Sequence, residues 1–311
     1  MARSRGADVL HDFKFESAYG NVPSNTGWNR LPLVSTALGA EQNLIEDDLL
    51  GTGRETLDPT YDVTNNDGDH VVPVDVRAFG FWLKLLMGAP VTTEDDDIYT
   101  HEFTSGASTL PSASVQITHP SIPRSFVNYG AKANTCQIGL SRSGLLNASI
   151  GVIAKGESDF AGSQSGTPTE LEVQRLAQAI GQVKVDGVQA GNVVSANLSF
   201  TNNLDKVEVI VPDGEIAGAD ESKFGASGSI TVRFADMTYY NLATTKTPKP
   251  ISFGWAIGDY SLLFALPRVF LPRTKRPVTG PGGIQATFNF QASGAAGHAL
   301  TATLVNDVAT Y

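Results

Sequence analysis

The residues that could do chemistry in this 311-residue chain are five histidines, one cysteine and a few compact carboxylate or glycine clusters. His11, His70, His101, His119 and His298 are scattered, without the HxH or HxxxH spacing that sets two imidazoles on one metal. Cys136 is alone, which excludes an internal disulfide and a cysteine zinc site; in its alternating run it reads as a buried thiol. Asp95-Asp96-Asp97 and NNDGD (Asn65 to Asp69) offer hard oxygens for calcium, but neither opens a calcium loop with a terminal Glu. GSQSG (Gly162 to Gly166) has Gln where a nucleophile-elbow serine belongs. GPGG (Gly280 to Gly283) precedes a strand-like run, and no GxxxxGK phosphate loop occurs. Trp28, Trp82 and Trp255 form no stacking platform in sequence. No enzyme reading has a specific residue behind it, and no cofactor or metal is implied.

Composition narrows the class. Lys plus Arg number 22 and Asp plus Glu 32, a net charge of −10, against what a phosphate-binding or anionic-membrane surface requires. A hydrophobic content of 41% supports a sizeable core, while 17% charged residues with 31 glycines favour strands and turns over solvated helices. The N-terminal MARSRGADVLHDFKFES has no apolar signal core, and no run approaches the roughly 18 residues of a membrane helix. The best stretch, Val71 to Pro90, is broken by Asp75, Arg77 and Lys84. A soluble protein made in the cytosol is expected.

Strand patterns dominate: SASVQIT, QIGLSRS, NASIGVIA, VVSANLSF, KVEVIV, GSITVRFA and IQATFNFQ alternate or cluster β-branched and aromatic residues. Asp186-Gly187 reads as a hairpin turn, and Asn202-Asn203 as a loop. VRAFGFWLKLLMG (Val76 to Gly88) predicts a helix with an apolar stripe, and ADMTYYNLATT a shorter one. Residues 168–180 fit helix or strand equally. Residues 156–167, rich in Gly and Ser, make a natural joint.

Internal similarity divides the chain in two. LVSTALG (Leu33 to Gly39) resembles VVSANLS (Val193 to Ser199), and VDVRAF (Val74 to Phe79) resembles ITVRFA (Ile230 to Ala235). SIPR (Ser121 to Arg124) resembles FLPR (Phe270 to Arg273), and IGLSRSG (Ile138 to Gly144) resembles FNFQASG (Phe288 to Gly294). The order is kept, at offsets near half the chain. Charge repeats too. Nine acids face only Arg54 between Glu41 and Asp69, and six face only Lys206 between Asp205 and Glu221. Phe103 to Gly156 holds no acid but Arg124, Lys132, Arg142 and Lys155; Tyr260 to Asn306 holds none but Arg268, Arg273, Lys275 and Arg276. A duplication is expected, with domains at 1–160 and 161–311.

Leu44 to Pro90, Ser141 to Gly151, Val193 to Glu208, Val269 to Ser293 and Leu300 to Tyr311 closely resemble the phage tail tube proteins of long-tailed bacteriophages. The resemblance implies a mainly β fold: tandem tail-tube-type β-sandwich or barrel domains, each with one short flanking helix and a long loop. It implies strands that join neighbouring subunits into a continuous inner barrel, and an early loop reaching the next ring. The acidic stretch Ala40 to His70 fits that loop, being far longer than the usual 4 to 6 residues or so. Leu44, Ile45, Leu49, Leu50 and Leu57 favour a docking arm over disorder.

The expected role is structural: rings of three duplicated chains or of six, stacked head-to-tail into an acid-lined conduit for DNA in the virion tail, assembled in the host cytoplasm. The expected contact sets Leu44, Ile45, Glu46, Asp47, Asp48, Leu49, Leu50 and Arg54 of one ring against Arg124, Arg268, Arg273, Lys275 and Arg276 of the next. Implied partners are the chain itself, a tape-measure protein, a tail terminator and tail-tip proteins, with no membrane and no specific DNA binding. The competing readings are a tube of a contractile injection or secretion system, and a β-sandwich carbohydrate-binding or decoration protein.

Overall fold

One strand holds the architecture together. In the computed structural model, which describes residues 3–51, 53–235, 237–278 and 280–311, β7 (Arg124–Leu140) belongs to two sheets. Its first part pairs with β6 (Ala113–His119) and β9 (Gly156–Ala161), and β6 also pairs with β1 (Leu10–Phe15). Its second part pairs with β8 (Asn147–Ile153) on one side and β11 (Val193–Thr201) on the other. The strand turns between sheets at Gly130, whose φ of +64° suits glycine and whose missing Cβ makes room for Lys155.

The larger sheet runs through β2 (Gly39–Ile45), β3 (Thr60–Pro73), β8, β7, β11, β12 (Gly225–Arg233), β15 (Gln285–Ala292) and β14 (Tyr260–Phe270). From β14 it continues through β13 (Lys249–Ile257) to β10 (Gln182–Val185), and through β16 (Thr301–Asn306) to β5 (Ile98–Thr104) and β4 (Val91–Asp95). The fold is mainly β, as expected.

The helices come where the sequence puts them, with different burial. α1 (Phe79–Met87) starts where Asp75 Oδ1 accepts the Phe79 N–H at 2.8 Å and stops at Gly88, φ +92°. Every residue but Lys84 is buried, so the expected stripe is a helix enclosed on all sides. α2 (Thr238–Thr245) buries only Ala243. Asp236 in the expected second helix, and Thr279, lie outside the described residues.

Asp186 and Gly187 have φ of +55° and +78°, the turn that the dipeptide predicts. Residues 168–180 are not an α-helix: Thr169–Glu170 pairs with Asn29–Arg30, Arg175 and Ala177 bridge to Asp75 and Leu145, and Gln178–Ile180 form a 3-10 turn. The expected joint is partly strand, because β9 occupies Gly156–Ala161. KVEVIV fails as a strand beyond Asp205–Val207, leaving Val209 and Ile210 exposed.

Once β4 and β5, which follow the helix only in the first half, are set aside, the two halves follow one order of elements: hairpin, helix, hairpin, then a further strand. Gly39 pairs with Asp67 and Ser199 with Ser227; Glu41 pairs with Asn65 and Thr201 with Gly225. Both members of each pair are displaced by the same 160 residues. Only the first sequence match keeps this displacement. Val74–Phe79 leads from β3 into α1 while Ile230–Arg233 lies inside β12, Ser121–Arg124 leads into β7 whereas Phe270–Arg273 leaves β14, and Ile138–Leu140 ends β7 whereas Phe288–Ala292 ends β15.

Candidate assembly surfaces

The acidic stretch is no simple loop. β2 and β3 form a long antiparallel hairpin, and residues 46–59 cap it. β2 pairs along one side with β3; on its other side no described strand pairs with it, though the Glu157 carboxylate of β9 accepts the Ala40 N–H. Leu44, Ile45, Leu49, Leu50, Leu57, Tyr61 and Val63 are all exposed, Leu50 at 97%. Asp47 Oδ1 accepts the Leu49 N–H at 2.8 Å, which fixes the turn that presents the two leucines. So much uncovered apolar side chain on one projection marks an interaction surface. Glu46, Asp47, Asp48 and Arg54 stand beside it, all exposed.

The corresponding loop of the second hairpin, residues 202–224, folds back onto the first half. Lys206 Nζ lies 2.6 Å from Asp67, and Lys132 Nζ lies 2.8 Å from Glu221. Glu215 takes the Tyr129 hydroxyl proton as a hydrogen bond and sits 3.7 Å from Lys155. Leu204 and Ala219 join Leu110 and Ile153 in a small apolar cluster. Burial pushes the Glu221 carboxyl up, but hydrogen bonds from Lys132 and the Leu110 N–H outweigh it and hold the group below its ordinary value. Reading the sequence misses this docking, because its partners lie far apart in the chain.

The expected basic residues divide. Arg268 lies over Phe270 at 5.3 Å, and Arg276 over Tyr240 at 4.4 Å, which places the segment after β14 against α2. Arg273 lines a groove of about 920 Å³ with Phe200, Lys246, Phe270, Leu271 and Phe290. Lys275 is exposed. Arg124 is elsewhere: it opens β7 at the small sheet, 3.0 Å from Asp159.

The solvent face of the large sheet is neutral and polar. Ser149, Gln137, Ser199, Ser227 and Gln291 form one row across five strands, and Gly139, Asn197, Ser229 and Asn289 the next. Charge and an aromatic enter at its margins, through Asp67, Asp69, Lys132 and Arg233 and through Phe270, which follows Gln291 in the first row. The central rows have neither aromatic anchors nor ion pairs with which to hold a partner.

Residues 6–292 match the family described as phage tail tube protein. The chain belongs to that family. No curated protein matches it. A tail tube protein self-assembles into a tube in the phage tail, where its role is structural.

The residues first considered for chemistry fit that role. Cys136 is buried, and burial pushes its thiol up, away from the reactive thiolate. His11 and His70 flank Trp82 in the core, with ring centroids 5.9 and 5.4 Å from the indole. His101 Nε2 donates to the Val308 carbonyl at 2.8 Å near the C-terminal end, and its Nδ1 pairs with the Thr92 hydroxyl at 2.9 Å. Among the described residues no three His, Cys, Asp or Glu side chains gather as metal ligands.

Proposed function

We propose that this chain is the repeating unit of a phage tail tube, its copies joined side by side into rings that stack head-to-tail around a channel for the genome. The observation that carries the reading is the projecting β2–β3 hairpin: its leucines are exposed and, among the described residues, no strand pairs with its outer edge, within a family that builds tubes. Only a heterologous contact propagates along an axis without closing.

The matching order of elements and the common displacement of 160 residues support a duplicated chain, with tail-tube-type domains at 1–160 and 161–311. Three copies then give a ring of six quasi-equivalent domains. The acidic hairpin and the basic segment Arg268–Arg276 are the complementary surfaces that join copies. The neutral sheet face suits the bore, since it offers a sliding polyanion nothing to bind, and the carboxylates of the hairpin and of loop 202–224 stand at its rims. Tape-measure, terminator and tail-tip proteins would meet the tube interior and its ends, and assembly would take place in the cytoplasm of the bacterial host.

Electron microscopy of the purified chain over a range of concentrations, with and without a tail-tip starter, tests this reading. Rings and tubes support it; single chains under every condition contradict it.

A further inference from the structure

The junction between the two halves of one chain also supplies a template for the junction between two chains. In the first half, Asp67, Ile153 and Lys132 form one row across β3, β8 and β7. Ser227, Gln291 and Phe270 form the matching row across β12, β15 and β14. Continuing along each row's last strand, Lys132 leads to Thr135–Leu140, and Phe270 leads into the segment beginning at Arg273.

In the first half both places are occupied. Thr135–Leu140 pairs with β11 of the second half, Thr135 opposite Thr201 and Leu140 opposite Ala196. Loop 202–224, which hangs from β11, covers the row: Lys206 reaches Asp67, Glu221 reaches Lys132, and Leu204 and Ala219 pack by Ile153. In the second half both places are vacant. Residues 271–278 pair with no strand, and the row lines the groove of about 920 Å³, with Phe270 39% exposed. By the displacement of 160 residues, the counterpart of β11 is residues 33–41, which end in Gly39–Glu41 of β2, and the counterpart of its loop is residues 42–64, the outer part of the hairpin with its tip. Within one chain these lie at the opposite edge of the eight-strand run, so they must come from a second copy.

We propose that β2 of one copy pairs with Arg273–Arg276 of its neighbour in the register of the internal junction, and that the hairpin tip seats in the neighbour's groove. This rests on the tube reading above. The register sets Glu41 opposite Arg273, Ala40 opposite Thr274 and Gly39 opposite Lys275. Pairing ends at Pro277, which has no N–H to give. Charges agree: the acidic hairpin meets Lys246, Arg273 and Lys275, as the acidic loop 202–224 meets Lys132 and Lys155 inside the chain. Leu49 and Leu50 supply the apolar side chains that Leu204 and Ala219 supply there. The contact runs between side-by-side neighbours within a ring, rather than to the next ring as charge alone suggests.

The test is disulfide formation in the full chain carrying Ala40→Cys and Thr274→Cys, under assembly conditions; the native Cys136 is buried and does not compete. The expected result is a ladder of covalent oligomers that closes at the ring's copy number, with no ladder from either single variant or from Ala40→Cys with Val278→Cys. A ladder without limit puts the contact between rings, and a bond within single chains puts the hairpin on its own groove; either overturns the proposal. Tubes seen by microscopy without cross-links overturn it while the tube reading stands, whereas absence of any assembly overturns both. A second variant needs no cysteine. Arg273→Glu should raise the concentration for half-assembly by about tenfold, and adding Glu41→Arg should restore it; unchanged assembly in Arg273→Glu contradicts the assigned register.

Discussion

Lys132 Nζ lies 2.8 Å from Glu221 Oε1, and the two residues are 89 positions apart in the chain. The lysine is buried and also donates to the Ala219 carbonyl at 2.8 Å, so this pair fastens loop 202–224 of the second half to the first. Lys132→Met leaves a shielded carboxylate without its cation. The expected loss is about 3 kcal/mol, the lower end for breaking a buried pair, read from urea unfolding; Glu221→Leu added to it should recover part. No change in midpoint would mean that the loop is held by its apolar cluster alone.

The hairpin tip behaves in the opposite way. Leu49→Asp with Leu50→Asp alters side chains that are 65% and 97% exposed, so unfolding should shift by no more than about 0.5 kcal/mol. Assembly, followed by light scattering, should be lost. Tubes of normal length from this variant would remove the hairpin from the account.

Acid should loosen the core through His11 and His70. Burial holds His11 down at about 4, against weaker raising effects from the Leu31 carbonyl and Asp12; burial and the neighbouring His11 hold His70 well below its ordinary value. His11 Nε2 and both His70 ring nitrogens have no hydrogen-bond partner among the described residues. Both groups bind protons more readily unfolded, so stability falls as pH drops from 6.5 towards 4, by up to about 1.4 kcal/mol per pH unit for each. Asp75, raised by burial to about 6, has the opposite slope: protonation between its unfolded value of 3.8 and 6 favours the fold. With two histidines against one carboxyl, the net slope is destabilising. Thermal unfolding across this range should show it, and His70→Phe should flatten it; equal slopes in both proteins would count against the histidines.

Gly80 faces Tyr311 so closely that a Cβ there would overlap the phenol ring. The Tyr311 hydroxyl donates to the Arg77 carbonyl at 2.7 Å, which ties the C-terminus over α1. Gly80→Ala should therefore cost about 1 to 3 kcal/mol by overpacking, with faster proteolysis at the C-terminal end. Wild-type stability and cleavage would show that the end is free to move aside.

The parts legible in the sequence are those set by local pattern. Alternation marks β6, β8, β11, β12 and β15, the apolar run marks α1, and Asp186-Gly187 marks its turn, because each depends on neighbours within a few residues. The hairpin reads only as a loop, since β2 is GAEQNLI, polar and exposed, without the alternation of a half-buried strand. KVEVIV shows the reverse error: its β-branched residues promise a strand, but beyond Val207 no neighbour pairs with it. The basic segment is visible by composition; that Arg273 lines a groove while Arg124 lies on the other sheet depends on how β7 bends.

The most direct test of the central claim is the mass and symmetry of a single ring, from light scattering and averaged electron micrographs of the assembled protein. Three copies of the 32.9 kDa chain per ring, with six similar lobes around an open channel, is the predicted result. A ring of six copies would contradict the duplicated-chain ring, and a closed particle without an axial channel would contradict the tube itself.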